Sequence, residues 1–165
     1  MAFQNLPSES RLWVYGFKDE LTLEEYNNVR NRLEQFKKEW MYHGTSVTGD
    51  YDIIENRFVI IATNDAISGC SIDSSVAVFK EFKQNDGLDA LDQSLVFYRD
   101  ENGEIKAIDR SGFQQLADEG KINNSTKVFN LLINHLAAYQ QGGFETKFEN
   151  SWHCKVFKLP QEETS

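Results

Sequence analysis

Three observations on this 165-residue chain predict an α+β fold, with an antiparallel sheet covered by helices mostly on one side. Element signals to residue 99 follow the order βαββαβ, the split βαβ arrangement of ferredoxin-like folds. Strand-prone runs are joined by short turn signals that suit hairpins, notably Glu55-Asn56 and Asp100-Glu-Asn-Gly103. Two long stretches carry apolar residues at helical spacing, each with one face to bury. Beyond this ferredoxin-like βαββαβ core, the fold is extended at the C-terminus by a hairpin strand, helices and a final strand. The two prolines, Pro7 and Pro160, lie in the polar ends, and no Pro-rich or low-complexity joint separates them. Residues 1–165 therefore read as a single domain with an ordered core over about 10–158.

Taken in order, Arg11-Leu-Trp-Val-Tyr-Gly-Phe17 is β-prone and nearly continuous in apolar character, which fits a central strand. Thr22-Leu-Glu-Glu25 is a capping box, with Leu21 and Tyr26 placed for a hydrophobic staple. Leu23, Tyr26, Val29, Leu33, Phe36 and Trp40 follow as the inner stripe of a long helix ending near Gly44. Val47 to Glu55 alternates, with Val47, Tyr51 and Ile53 on one face, and Arg57 to Thr63 returns as a strand apolar on both faces. Ile72, Val76, Phe79 and Phe82 form the stripe of the second helix.

Leu95 to Tyr98 and Ile105 to Ile108 form a hairpin around the Asp100–Gly103 turn. Ser111-Gly-Phe-Gln114 repeats the capping-box pattern and opens a short helix running to Gly120. Lys127 to Tyr139 fits either one helix closed by Gly142-Gly143 or a strand near Val128–Leu131 followed by a shorter helix. Trp152 to Phe157 reads as a closing strand, with Trp152, Cys154 and Val156 on one face.

Charge excludes some function classes. Seventeen basic residues stand against 26 acidic ones, a net charge of −9. Binding to a phosphate backbone needs Lys and Arg to displace counterions, so no nucleic-acid partner is expected. The N-terminus has neither a basic start nor an apolar run, and no stretch approaches membrane-spanning length. Cys70 and Cys154, in a chain without an export signal, read as reduced thiols. The expected compartment is the cytoplasm, and the oligomeric state is left open.

The stretch Ser68-Gly-Cys-Ser-Ile-Asp-Ser-Ser75 gathers polar and nucleophilic side chains where a strand hands over to a helix. Its structural reading makes Ser71 the N-cap and Asp73 a complement to the helix dipole. Its functional reading has the amides near Gly69 and Ser71, with the Ser68 hydroxyl, binding a phosphate or carboxylate. The same dipole favours the Cys70 thiolate, while Asp73 opposes both effects.

Asn150-Ser-Trp-His-Cys154 is the second polar group. Asn150 and Trp152 are candidate ligand-binding residues, and His153 is a candidate base for Cys70. The structural alternative is a satisfied histidine at 153 and a small core residue at Cys154. His43 suits the negative end of the first helix, and His135 suits a helix surface. No paired His or Cys spacing marks a metal site, and no cofactor is implied.

No GxxxxGK[ST] segment is present, so the amides and lysine that cradle nucleotide phosphates are missing. Ile67-Ser-Gly-Cys-Ser71 has a surface likeness to the LSGGQ signature of ABC transporter ATPases, without the phosphate loop or acidic strand end that hydrolysis needs.

Trp13-Val-Tyr15, Ser68-Gly-Cys-Ser-Ile-Asp73, Val128-Phe-Asn130 and Asn150-Ser-Trp-His153 together resemble a small, uncharacterised bacterial family. Its members are sometimes labelled "ABC transporter ATPase". The resemblance covers most of the chain. It implies no catalytic residue, favours a strand near residue 129 and raises the two polar pieces as a joint site. The resulting expectation is a non-catalytic module for a small anionic ligand or a protein partner. The alternative is a thiol-dependent enzyme with Cys70 as nucleophile and His153 as base, and ABC-type ATPase activity is not expected.

Overall fold

The computed structural model describes residues 3–42, 49–64 and 69–160. The chain forms two compact units, one of Met1–Asp92 with Leu131–Gln141, the other of Gln93–Asn130 with Gly142–Ser165.

The first unit holds β1 (Arg11–Gly16), α1 (Leu23–Tyr42), β2 (Gly49–Ile54), β3 (Phe58–Thr63) and α2 (Gly69–Asp86). Its strands pair antiparallel in the order β1-β3-β2, so β3 is central and β1 is not. Every residue of β3 is buried, as its unbroken apolar run requires. Alternation then sorts the two faces. Tyr15, Val59 and Ile61 share a cluster with Val29, Leu33 and Phe36 of α1 and Val78, Phe79 and Phe82 of α2. Phe58, Ile60 and Ala62 lie on the opposite face and are also fully buried. Burying a side chain such as Val, Ile or Phe contributes about 1.5–3 kcal/mol.

Local signals hold well in this unit. Thr22 donates its amide to Glu25 Oε1 at 2.9 Å, and Glu25 returns its amide to Thr22 Oγ1 at 3.2 Å, completing the capping box. Glu55 and Asn56 both take positive φ, 58° and 53°, as the tight turn between β2 and β3 demands. Leu23 departs from the stripe assigned to it: it is 78% exposed at the first position of α1. Gly44, His43 and Val47 lie outside the described residues.

A short helix, α4 (Leu136–Gln140), completes this unit. The segment before it borders β1: Leu12 donates to Asn134 O at 3.1 Å and Leu136 to Ser10 O at 2.8 Å. Arg11 and His135 form an isolated antiparallel bridge. His135 is exposed as expected, but it precedes the helix and does not lie on it.

The second unit holds β4 (Leu95–Arg99), β5 (Ile105–Asp109), α3 (Arg110–Asp118), β6 (Lys127–Phe129), β7 (Glu145–Lys147) and α5 (His153–Val156). Its sheet order is β5-β4-β6-β7. The element order to residue 99 is thus βαββαβ, but β4 does not join the first sheet. Both of its edges are taken, one by β5 and one by β6. The chain is α+β with two antiparallel sheets.

The 127–139 segment takes the strand-then-helix form, with Val128 paired to Tyr98. Two other expectations are corrected. The stretch read as a closing strand is helical: Phe157 donates to His153 O at 2.9 Å. His153 and Phe157, four residues apart, are buried, while Cys154, Lys155 and Val156 are exposed. The edge strand comes earlier, at the polar Glu145-Thr-Lys147, which has no apolar alternation to announce it. The third helix starts two residues early as well: Asp109, not Ser111, is its N-cap, accepting from the Gly112 amide at 2.7 Å.

Candidate functional site

α2 begins at Gly69, so Gly69, Cys70 and Ser71 occupy its first turn and no acidic residue lies there. Ser71 is therefore not the N-cap, and Asp73 falls beyond the first turn. The first amides of any helix lack partners within it, and they carry the positive end of its dipole. Ser68 lies outside the described residues.

Farther along α2, Ser75 is fully buried and joins two side chains of β1. Trp13 Nε1 donates to Ser75 Oγ at 2.9 Å, and Tyr15 Oη lies 2.7 Å from the same oxygen. The Tyr15 ring stacks on Phe79 with centroids 3.8 Å apart. Burial pushes the Tyr15 phenol above its usual range, against the opposing effect of its hydrogen bonds to Ser75 and Trp13. The trio pins the amino-terminal half of α2 to the strand below it. Ser75 closes the polar stretch Ser68–Ser75, and its spacing from Phe79 and Phe82 places it on the inner stripe of the helix instead of at its mouth.

The second polar piece belongs to the other unit. Asn150 ends a 3-10 turn (Phe148–Asn150) and is exposed. Ser151 and His153 are buried, with Ser151 Oγ 2.6 Å from His153 Nδ1. The Trp152 ring stacks on the His153 ring at 3.9 Å, and the Arg110 guanidinium lies 5.6 Å from the Trp152 centroid. Burial, with Arg110 adding to it, pulls the His153 imidazole down to about 4. It is neutral near pH 7. Trp152 Nε1 and His153 Nε2 are buried without a hydrogen-bond partner among the described residues.

Phe113 meets the rings of Tyr98, Phe148, His153 and Phe157, so His153 sits in the aromatic core of its unit. Cys154, expected as a small core residue, is exposed, with its thiol 3.6 Å from Glu149 O. The helical turn directs residue 154 outward, where a strand would have sent it to the Trp152 face.

No sequence motif signals the groove beside β2. It has a volume of about 360 Å³ and is lined by Tyr26, Arg30 and Glu34 of α1 and by residues 50–53 of β2. Burial, followed by the charge and hydrogen bond of Glu34, pushes the Tyr51 phenol up to about 12. Spacing of four along α1 (26, 30, 34) is the only available hint, and it reads equally well as a solvated face.

Among the described residues no three His, Cys, Asp or Glu side chains gather as a metal site, and no helix is long and apolar enough to cross a membrane. Comparison of the chain with protein-family models, with curated proteins and with solved structures finds no match in any of the three.

Proposed function

We propose that the chain is a non-catalytic cytoplasmic module that binds a small anion, phosphate or carboxylate, at the amino end of α2. The observation that carries this reading is the first turn itself, which opens at Gly69 and contains no acidic residue. Its backbone amides supply donors, and the helix dipole supplies a positive potential. The Trp13–Ser75–Tyr15 trio holds the helix behind them in place. A rigid helix end binds an anion at lower entropic cost than a mobile one. The β1-β3-β2 sheet with α1 and α2 on one face supports reading the first unit as a ferredoxin-like arrangement without its fourth strand.

Gly69→Pro tests this. Proline is tolerated at the first helical position but removes one amide donor. Thermal shifts with phosphate, sulfate and small carboxylates should raise the Tm of the parent chain and leave the variant unmoved. A parent chain indifferent to all of these anions sinks the proposal.

The rival reading is a thiol enzyme with Cys70 as nucleophile and His153 as base, and Cys70 falls in the first turn of α2. The surroundings of His153 speak against the base: the ring is buried, Nδ1 is engaged by Ser151, and its basicity is pulled down to about 4. Alkylation of Cys70 followed by mass spectrometry across pH separates the two readings. Reaction well below the ordinary thiol range, lost in His153→Phe, would establish the enzyme. For ABC-type ATP hydrolysis, purified protein should release phosphate at background rate.

A further inference from the structure

We infer that the outer edge of β2 accepts an extended, basic segment of a partner protein as an added strand. This surface is separate from the amino end of α2, and the inference does not depend on an anion binding there.

Hydrogen-bond parity identifies the groups that are open on β2. Phe17 donates to Arg57 O at 2.9 Å, which sets the alternation of the β1–β3 ladder. Odd-numbered residues of β3 therefore turn their backbone groups to β1, and even-numbered ones turn theirs to β2. On β2 the partners of Ile60 and Ala62 are Asp52 and Asp50, which use their backbone groups on β3. Tyr51 and Ile53 must then point theirs outward. β2 ends the sheet order, so no strand of the sheet meets them there.

Among the described residues the outward amides meet their own neighbours. Tyr51 donates to Asp50 Oδ1 at 2.8 Å, and the Ile53 amide is taken by the Asp52 carboxylate. No described residue donates to the carbonyl of Tyr51 or Ile53. Asp50 also receives Lys37 Nζ at 3.1 Å and the Phe3 amide at 3.3 Å. Asp52 is half-buried. An incoming strand must draw these two carboxylates off the amides before it can pair.

A segment with cations at alternate positions meets that requirement. Asp50 and Asp52 lie on one face of the strand, so Lys or Arg two residues apart would face them across the new pair. The intervening residues would fall on the face of Tyr51 and Ile53, beside the groove walled by Tyr26, Arg30 and Glu34. Main-chain hydrogen bonds would supply affinity and the alternating pattern specificity, as in other strand-addition complexes. The net charge of −9 favours encounter with such a basic segment.

The probes are a Lys-Val repeat heptapeptide, the same peptide N-methylated at alternate residues along the edge that meets β2, and a Glu-Val repeat. Titration is followed by calorimetry and by amide NMR on the full chain. The expected result is saturable one-to-one binding of the Lys-Val peptide with shifts centred on Tyr51 and Ile53. The N-methylated and Glu-Val peptides should not bind. Asp52→Asn should weaken Lys-Val binding about tenfold, as loss of a close charge pair does.

Equal binding of the N-methylated peptide would show charge attraction without strand addition and would overturn the inference. Failure of every peptide to bind would overturn it too. Self-association of an Asp50→Asn, Asp52→Asn chain on gel filtration would then show that the carboxylates merely guard a bare edge against a second copy.

Discussion

Ser151 Oγ lies 2.6 Å from His153 Nδ1, and both side chains are buried within the second unit. This contact gives the Asn150-Ser-Trp-His153 piece a structural role. The imidazole fills a place among phenylalanine rings, and the serine satisfies one of its nitrogens.

A pH dependence of stability follows. The folded imidazole titrates near 4 against 6.5 for a free one, so between those values the unfolded chain binds more protons than the folded one. Stability from this group is complete above about pH 6.5, falls as pH drops through that window, and levels off below about 4. The total change amounts to about 3 kcal/mol. Urea denaturation at pH 4, 5, 6 and 7 should show it, and His153→Phe should flatten the profile over the same range.

Ser75→Ala removes the common partner of Trp13 Nε1 and Tyr15 Oη. Stability should fall by about 1–3 kcal/mol, the cost of leaving buried polar groups short of partners. The Trp13 indole N–H resonance should move upfield in the same variant. An unchanged denaturation midpoint would show that the trio is incidental to the packing of α2.

Alanine at the start of α3 distinguishes two cap positions. Asp109→Ala should cost about 1 kcal/mol because it deprives the Gly112 amide of its acceptor. Ser111→Ala, inside the helix, should stay within about 0.5 kcal/mol. Reversal of the two values would return the cap to the Ser111-Gly-Phe-Gln114 pattern.

Phe113→Ala should destabilise by about 3–5 kcal/mol, since four ring contacts close around a side chain with no exposure. Leu23→Ser should change little, within about 0.5 kcal/mol, because Leu23 is already 78% exposed. Guanidinium denaturation of both variants makes the comparison.

Signals confined to a few neighbouring residues are legible in the sequence. The Thr22–Glu25 box, the Glu55-Asn56 turn, the β4–β5 hairpin and the doubly buried β3 depend on local spacing and backbone preference. The cap of α3 is not, because Asp109 and Ser111 both make acceptable caps and the contacts of the first turn decide between them. At the candidate site, the polar residues of both pieces can be nominated by type, but no motif marks the groove beside β2 or the meeting of Ser75 with Trp13 and Tyr15. Those arise from pairing between strands and helices distant in sequence.

Residue order by itself determined an α+β chain with antiparallel hairpins, two long amphipathic helices and an acidic surface, because each follows from periodicity, turn chemistry or charge. Tertiary structure decided which strands share a sheet. β4 pairs with β5 along one edge and with β6 at Tyr98 on the other, which places it in the second sheet. It also turned His153–Val156 into a helix, since only that geometry buries His153 and Phe157 together while keeping Cys154 and Lys155 in solvent.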